Sequence, residues 1–513
     1  MPIRIFSPVV NHKAVKWTKS ILEVLSLTLA FVFLACQSVH KQPGETSAAP
    51  LSGHPNIVMI VVDDQRWDEL SIAGHPFLKT PNMDRLAREG ILFRNAYQVV
   101  PLCSPNRASI LTGQYPSRHG IVDNVARDRA SHRLQLFAPL LQQAGYTTAH
   151  IGKWHMGNDP TPRPGYDYWT CLPGQGRTID PILYEEGRLD TISGYVTDIL
   201  TDKMIDFIRN NANKPFFAYL GHKAVHPDAK QLNNGAIDLK AGHRFIPAPR
   251  HEGMYHDAFF QRRPNALTFY DQVDSASVIG QALITKNHPS IRSEFGDDLL
   301  DHFTTDKTIR ERSEMLLAVD ESLGKIMAEL EALNILDNTC IIFTSDNGYF
   351  YGEHGLSLER RLPYEESVRT PLIIRYPGVI SQPGQNDHFT LSIDYAPTIL
   401  DLAGIAIPAW MQGRSLVPLM QGPVKDWRQS FLMEYYSYEN PMPWLIDTDY
   451  KAFRKGNYKY IRWYKYQDLD ELYDLESDPY EMHNLVLDPN MKSLANEMKT
   501  ELAQAAVQAM GLN

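Results

Sequence analysis

A chain of 513 residues with 43% hydrophobic and 21% charged residues has the composition of a globular protein, long enough for one large domain and a smaller one. Its formal charge of -10 and the lack of a long basic run exclude a general nucleic-acid binder, so an anionic ligand must be drawn in by local Lys, Arg or metal charge. Four cysteines, Cys36, Cys103, Cys171 and Cys340, show no CxxC spacing, which excludes a zinc ribbon and a disulfide-stapled scaffold.

In chain order, Arg4, Lys13, Lys16 and Lys19 precede an apolar run from Leu25 to Ala35, broken only by Ser26 and Thr28. The run is short for a membrane span and ends in small residues, so residues 1–35 read as an export signal. Its end, Phe33-Leu34-Ala35-Cys36, is similar to a bacterial lipoprotein box with a lipidated cysteine; ordinary secretion is the alternative. Both readings place the protein outside the cytoplasm, in the periplasm or at the outer membrane. Residues 36–55, rich in Ser, Gly, Pro and Gln, read as a flexible tether.

Ile57–Val62 is a continuous β-branched run that stops at Asp63-Asp64, as expected for a strand buried on both faces. Similar runs occur at Thr147–Ile151, Phe216–Leu220, Cys340–Thr344 and Leu372–Arg375. Helical patterns lie between them, at Met83–Glu89 and around Met315–Leu333, where apolar residues recur at steps of three and four. Alternation of this kind predicts an α/β sandwich over 56–423, with polar residues gathered at the carboxyl ends of the strands. From 424 to 513 the texture changes to a hairpin over Lys451–Tyr464 turning at Gly456-Asn457, then a terminal helix from Met491 to Ala509, a smaller α+β subdomain.

Two strings carry more information than the rest. Cys103-Ser104-Pro105-Asn106-Arg107 runs on into Ala108-Ser109-Ile110-Leu111-Thr112-Gly113, and Gly145-Tyr146-Thr147-Thr148 runs on to Gly152-Lys153-Trp154-His155. Both resemble motifs of the formylglycine-dependent sulfatases of the alkaline-phosphatase superfamily, and the resemblance extends from Asn56 to about Leu419, weaker beyond. It implies a large mixed, mainly parallel sheet between helices, with an antiparallel sheet in the C-terminal part. It also implies that a maturation enzyme oxidises Cys103 to formylglycine. The hydrated aldehyde has two hydroxyls, one to attack sulfur and one to expel sulfate by collapse to the aldehyde. A buried structural thiol is the bland alternative.

The same resemblance implies that Asp63, Asp64, Asp346, Asn347 and the modified Cys103 hold one metal ion. Their oxygen-rich set suits Ca²⁺, and an amide at 347 favours it over Zn²⁺ or Mn²⁺. Arg107 is expected to stabilise the nucleophile, Lys153 to grip sulfate, His155 to act as base and His226 as general acid. Arg360 stands where many relatives carry Lys; it keeps the charge but cannot donate a proton. A plain surface charge is the other reading of Arg360. Arg244, Arg250, His251, Arg262 and Arg263, in the long insertion 227–306, could read a polyanion or form a solvated face. Trp169, Trp410, Trp427, Trp444 and Trp463 are candidate sugar platforms or core residues. The expected function is hydrolysis of O-sulfate esters on a sulfated polysaccharide such as ulvan, carrageenan or a glycosaminoglycan. A phosphodiester or phosphonate hydrolase, and an inactive glycan-binding protein, are the alternatives.

Overall fold

The run Asn56–Val62 forms strand β1, and its pleat divides it between two cores. Val58, Ile60 and Val62 face one apolar layer, while Ile57, Met59 and Val61 face the other. The computed structural model describes residues 54–511 except 233, 236–237, 239–240, 242, 267–276, 287, 296–304, 357–359, 439–444 and 467. The export signal, Cys36, nearly all of the tether and Trp444 lie outside the described residues.

Ten strands make the main sheet: β1, β2 (Ile91–Phe93), β3 (Thr147–Lys153), β4 (Tyr168–Leu172), β5 (Ile182–Glu185), β6 (Arg188–Thr191), β7 (Phe216–Gly221), β8 (Thr339–Ser345), β9 (Leu372–Arg375) and β10 (Gly384–Asn386). Their order is β10-β2-β9-β8-β1-β7-β3-β4-β5-β6. The centre, β8 through β4, is parallel, and antiparallel pairs form toward both edges. The five apolar runs read as strands therefore all lie in this sheet. Helices α1 (Pro81–Glu89), α3 (Val196–Asn211) and α4 (Asp306–Ala332) cover one face. Helices α2 (Cys103–Thr112) and α5 (Tyr395–Leu402) cover the other. Helix α4 starts nine residues before the apolar stripe suggested, because the Thr305 hydroxyl caps it by accepting from Thr308 N.

Strands β11 (Ser430–Tyr435), β12 (Tyr450–Lys455), β13 (Tyr458–Trp463) and β14 (Glu471–Asp474) form an antiparallel sheet turning at Gly456-Asn457. One face packs on helix α6 (Lys492–Ala509), through Leu432, Phe453, Tyr460 and Met498. The other face, with Phe431, Met433 and Ile461, packs on Tyr97, Val99 and Ile393 of the main part. Burial on both sides explains why these strands are rich in large apolar and aromatic residues.

Candidate active site

The central parallel strands bring distant residues together at their carboxyl ends. Val62 of β1 lies opposite Ser345 of β8, so Asp63-Asp64 and Asp346-Asn347 leave the sheet side by side. Ser345 fastens the two turns: its hydroxyl donates to Val62 O at 2.9 Å and accepts from Gln65 N at 2.9 Å. Asp64 N donates to Asp346 Oδ1 at 3.1 Å, and Asn347 Nδ2 to Asp64 Oδ1 at 2.6 Å. The donor atoms of Asp63, Asp64, Cys103 and Asp346 all lie within 4.8 Å of one another.

Cys103 is the first residue of α2, buried, with Sγ 3.5 Å from Asp63 Oδ1. A helix N-terminus favours negative charge at this point. Lys153, the last residue of β3, contacts Asp63 Oδ2. Gly152 precedes it at φ +98, and a side chain there would run into the Gly221 carbonyl of β7, so only glycine lets β3 and β7 deliver their ends so closely. Arg107, one turn into α2, pairs with Asp346 Oδ2 at 2.8 Å and donates to the Lys153 carbonyl at 3.0 Å. Arg360 is 4% exposed, which removes its reading as a surface charge. Its Nε lies 3.1 Å from Asp64 Oδ1 and its Nη2 donates to His226 Nε2 at 3.0 Å.

The histidines have assignable protons. His226 Nδ1 lies 2.7 Å from Pro227 O, which only accepts, so Nδ1 is the donor and Nε2, facing Arg360, is the acceptor. His155 Nε2 lies 2.8 Å from Gln231 Oε1, while Gln231 Nε2 donates to Gly235 O. That orientation makes Nε2 the donor and leaves Nδ1 as the basic atom, 3.4 Å from Ser104 Oγ. His222, close in sequence to His226, instead meets Ser322 of α4 at 3.2 Å.

Burial sets the electrostatics, and neighbouring charges decide the outcome at each group. Burial alone would raise the Asp63 carboxyl, but Lys153 and Arg107 hold it well below the usual range. Burial raises Asp64 despite Arg360, and lifts Asp346 to about 7 despite Arg107. Burial pushes the Cys103 thiol well up, so it is no thiolate. His155 and His226 are pushed well down by burial and then by Lys153, and both are neutral.

The donor set fits a hard cation. Asp64 Oδ2 and the Asn347 side-chain carbonyl are buried oxygen acceptors with no donor among the described residues. With Asp63 and Asp346 they form an all-oxygen group of the kind that takes Ca²⁺ or Mg²⁺.

Other sequence candidates fall away from this point. Arg250 pairs with Asp198 and Glu321, and His251 with Glu321. Arg262 pairs with Asp306, and Arg263 with Asp68 and Glu366. These four are engaged in ion pairs within the chain, Arg250 on the exposed surface; Arg244 borders a separate cavity with Glu252 and Glu311. Trp169, Trp427 and Trp463 are buried in the cores and Trp410 is half-buried against one, so none is an open platform. Cys171 and Cys340 are free and buried, not a disulfide. Residues that the sequence did not single out also shape the site: Asn106 donates to the Asp346 carbonyl and Arg312 to the Asp64 carbonyl. Arg312 left a signal, a charge in register with Leu316, Val319 and Leu323 on the apolar stripe of α4.

A mainly parallel sandwich with acidic turns on its central strands, a helix N-terminus and three cations above them defines a hydrolase acting on anionic esters. Residues 55–405 match the sulfatase family, and residues 352–508 match the C-terminal region of N-sulphoglucosamine sulphohydrolase. The chain belongs to the sulfatase family, whose members hydrolyse sulfate esters using a formylglycine and a metal ion. It is 34% identical to an N-acetylglucosamine-6-O-sulfatase of Bacteroides thetaiotaomicron, over 91% of this chain and 88% of that one. It is 26% identical to an ulvan-active sulfatase of Formosa agariphila, over 96% and 88%. A solved structure bound to its substrate D-glucosamine-2-N,6-O-disulfate superposes with a TM-score of 0.74 at 32% identity, covering 90% of this chain and 99% of that one.

Proposed function

We propose that this sulfatase removes the 6-O-sulfate from glucosamine units of a sulfated glycan, using a formylglycine made from Cys103 and a calcium ion. One observation carries the substrate: similarity through nearly the whole chain to a glucosamine 6-O-sulfatase, together with that substrate-bound structure. A neutral buried thiol is a poor nucleophile, which supports modification of Cys103 by a maturation enzyme. The hydrated aldehyde supplies a nucleophile that regenerates itself. Asp63, Asp64, Asp346 and Asn347 hold the ion, which supplies Lewis-acid polarisation of a sulfate oxygen.

This chain's own residues do the rest. Lys153 and Arg360 bind the sulfate oxygens where charge accumulates in the transition state. Burial and then these charges suppress protonation of His226; pairing the cations with an anionic ester lifts the second of these and favours a proton on Nε2. His226 then delivers that proton to the leaving alcohol, which arginine at 360 cannot do. His155 Nδ1 accepts the proton that frees sulfate, its tautomer fixed by Gln231. Arg107 holds Asp346 and backs the nucleophile. The basic and apolar stretch over 1–35 supports export, and its lipoprotein-like end Phe33-Leu34-Ala35-Cys36 supports anchoring through a lipid on Cys36 over free secretion.

The test is release of inorganic sulfate, with calcium present, from glucosamine carrying sulfate at O6, O3 or N2 and from galactosamine 6-sulfate. Release from glucosamine O6 is expected to exceed the others by at least about tenfold, a difference of about 1.4 kcal/mol. Preferred release from another position overturns the substrate assignment.

A further inference from the structure

A further cavity, with a wall of mixed polar and apolar groups, lies one side chain away from His155. Its volume is about 310 Å³, within the range of small-molecule sites, and its wall includes Asn158, Gln175, Arg177, Ile182 and Gln231. Gln231 is shared: its side-chain carbonyl accepts from His155 Nε2, and it also lines this cavity. Most of the remaining wall comes from the loops that follow β3 and β4, on the carboxyl side of the sheet where the catalytic residues sit, and Ile182 of β5 and Ala229 complete it.

Gln175 is the unusual member. It is 6% exposed, yet neither its Oε1 nor its Nε2 has a hydrogen-bond partner. An unpaired buried amide costs about 1–3 kcal/mol, so its two donors and two acceptors need a ligand's polar groups or water. The loop carrying it is held in place, because Thr178 N and Oγ1 both donate to Asp228, at 3.0 and 2.6 Å. Asp228 in turn is paired with the buried Lys223 at 2.9 Å. Arg177, at the rim, is exposed and has no ion pair among the described residues.

We propose that this cavity binds the sugar unit next to the one that loses sulfate, with Gln175 bonding its hydroxyls and Arg177 its carboxylate or sulfate group. Neighbouring hydroxyls on a pyranose present donors and acceptors at the spacing of a primary amide, and a fixed amide binds them without ordering cost. The proposal rests on the reading of the catalytic centre as a glycan sulfatase, and the following experiment separates the two.

Turnover is compared on glucosamine 6-sulfate and on a disaccharide joining that sugar to a uronate. Gln175→Ala should lower kcat/KM on the disaccharide about tenfold, the loss of roughly 1.4 kcal/mol, and leave the monosaccharide unchanged. Arg177→Ala should lower it less, with an effect that fades as salt is added. The melting temperature of Gln175→Ala should hold or rise, since an unpaired amide is removed. Equal losses on both substrates, or none on either, overturn the proposal. Calorimetry on Cys103→Ala protein with the same disaccharide lacking 6-sulfate reads the cavity without turnover. Binding that is lost in Cys103→Ala/Gln175→Ala supports it; binding unaffected by Gln175→Ala, or absent from the parent, overturns it even if no sulfate ester is ever cleaved.

Discussion

Among the described residues, two buried acidic clusters solve the same charge problem differently. At the carboxyl ends of β1 and β8, three aspartates meet three separate cations, Lys153, Arg107 and Arg360. Two oxygens, Asp64 Oδ2 and Asn347 Oδ1, remain without donors. In the second cluster, donor atoms of His354, Glu366 and Glu481 again lie within 4.8 Å of one another. Here Lys459 of β13 sits 2.9 Å from Glu365 and 2.7 Å from Glu481. Glu481, raised by burial to about 8, keeps its proton, while Glu365, buried but beside Lys459 and Arg454, is held at about 2 and ionised. Lys459 and Arg454 flank Glu365, and Arg263 pairs with Glu366, so the second cluster is matched by its own cations, with Glu366 Oε2 left without a donor among the described residues. The first cluster leaves two oxygens of a metal-binding set open at the strand ends, while the second works as a staple through Lys459.

The staple still serves the active site. Glu365 and Glu366 close the segment that carries Arg360, and Lys459 also donates to Pro363 O at 2.9 Å. Tyr364 donates to Glu471 of β14 at 2.9 Å. The C-terminal sheet thus fixes the loop from which Arg360 reaches Asp64 and His226.

Substitutions should separate the two clusters. Asp346→Ala, or a chelator on the wild type, removes metal binding; loss of several kcal/mol of charge stabilisation should cut sulfate release by about 10³-fold. Added calcium should restore the chelated wild type and not the variant. Lys153→Ala should cost about 10²–10³-fold in kcat of the folded, calcium-loaded protein, the effect of losing one transition-state donor, beyond the destabilisation of leaving buried Asp63 short of a partner. Lys459→Met should lower stability and spare turnover. A buried carboxylate left without its partner destabilises by about 3–5 kcal/mol in a denaturant titration, while turnover of the folded fraction largely survives. The smallest effect belongs to Glu481→Gln. Because the folded protein holds this proton more tightly than the unfolded chain does, stability is lost as pH rises from the ordinary glutamate range through about 8. Glutamine cannot ionise, so the variant should match the wild type at pH 4 and gain on it as pH rises toward 8, by at most about 1.4 kcal/mol per pH unit, then hold that lead.

This contrast also marks what could be read before folding. The five apolar runs, the terminal helix and the Gly456-Asn457 hairpin were legible because each is a local pattern. The site residues came from short strings of family character, and the parallel register then accounts for their meeting. Arg250, Arg262 and Arg263 looked like polyanion readers because their acidic partners lie 44 to 195 positions away and only the fold brings them together. Lys459 and Glu365, 94 positions apart, were invisible for the same reason. Gln175 left no trace at all, since an unpaired amide is defined only by what fails to surround it.

The most direct test is mass spectrometry of the Cys103 peptide, on preparations made with and without a maturation enzyme, set against their rates of sulfate release. The account predicts that release rises in proportion to the fraction of formylglycine at position 103 and vanishes in Cys103→Ala. Full activity in a preparation whose Cys103 is entirely thiol would contradict it.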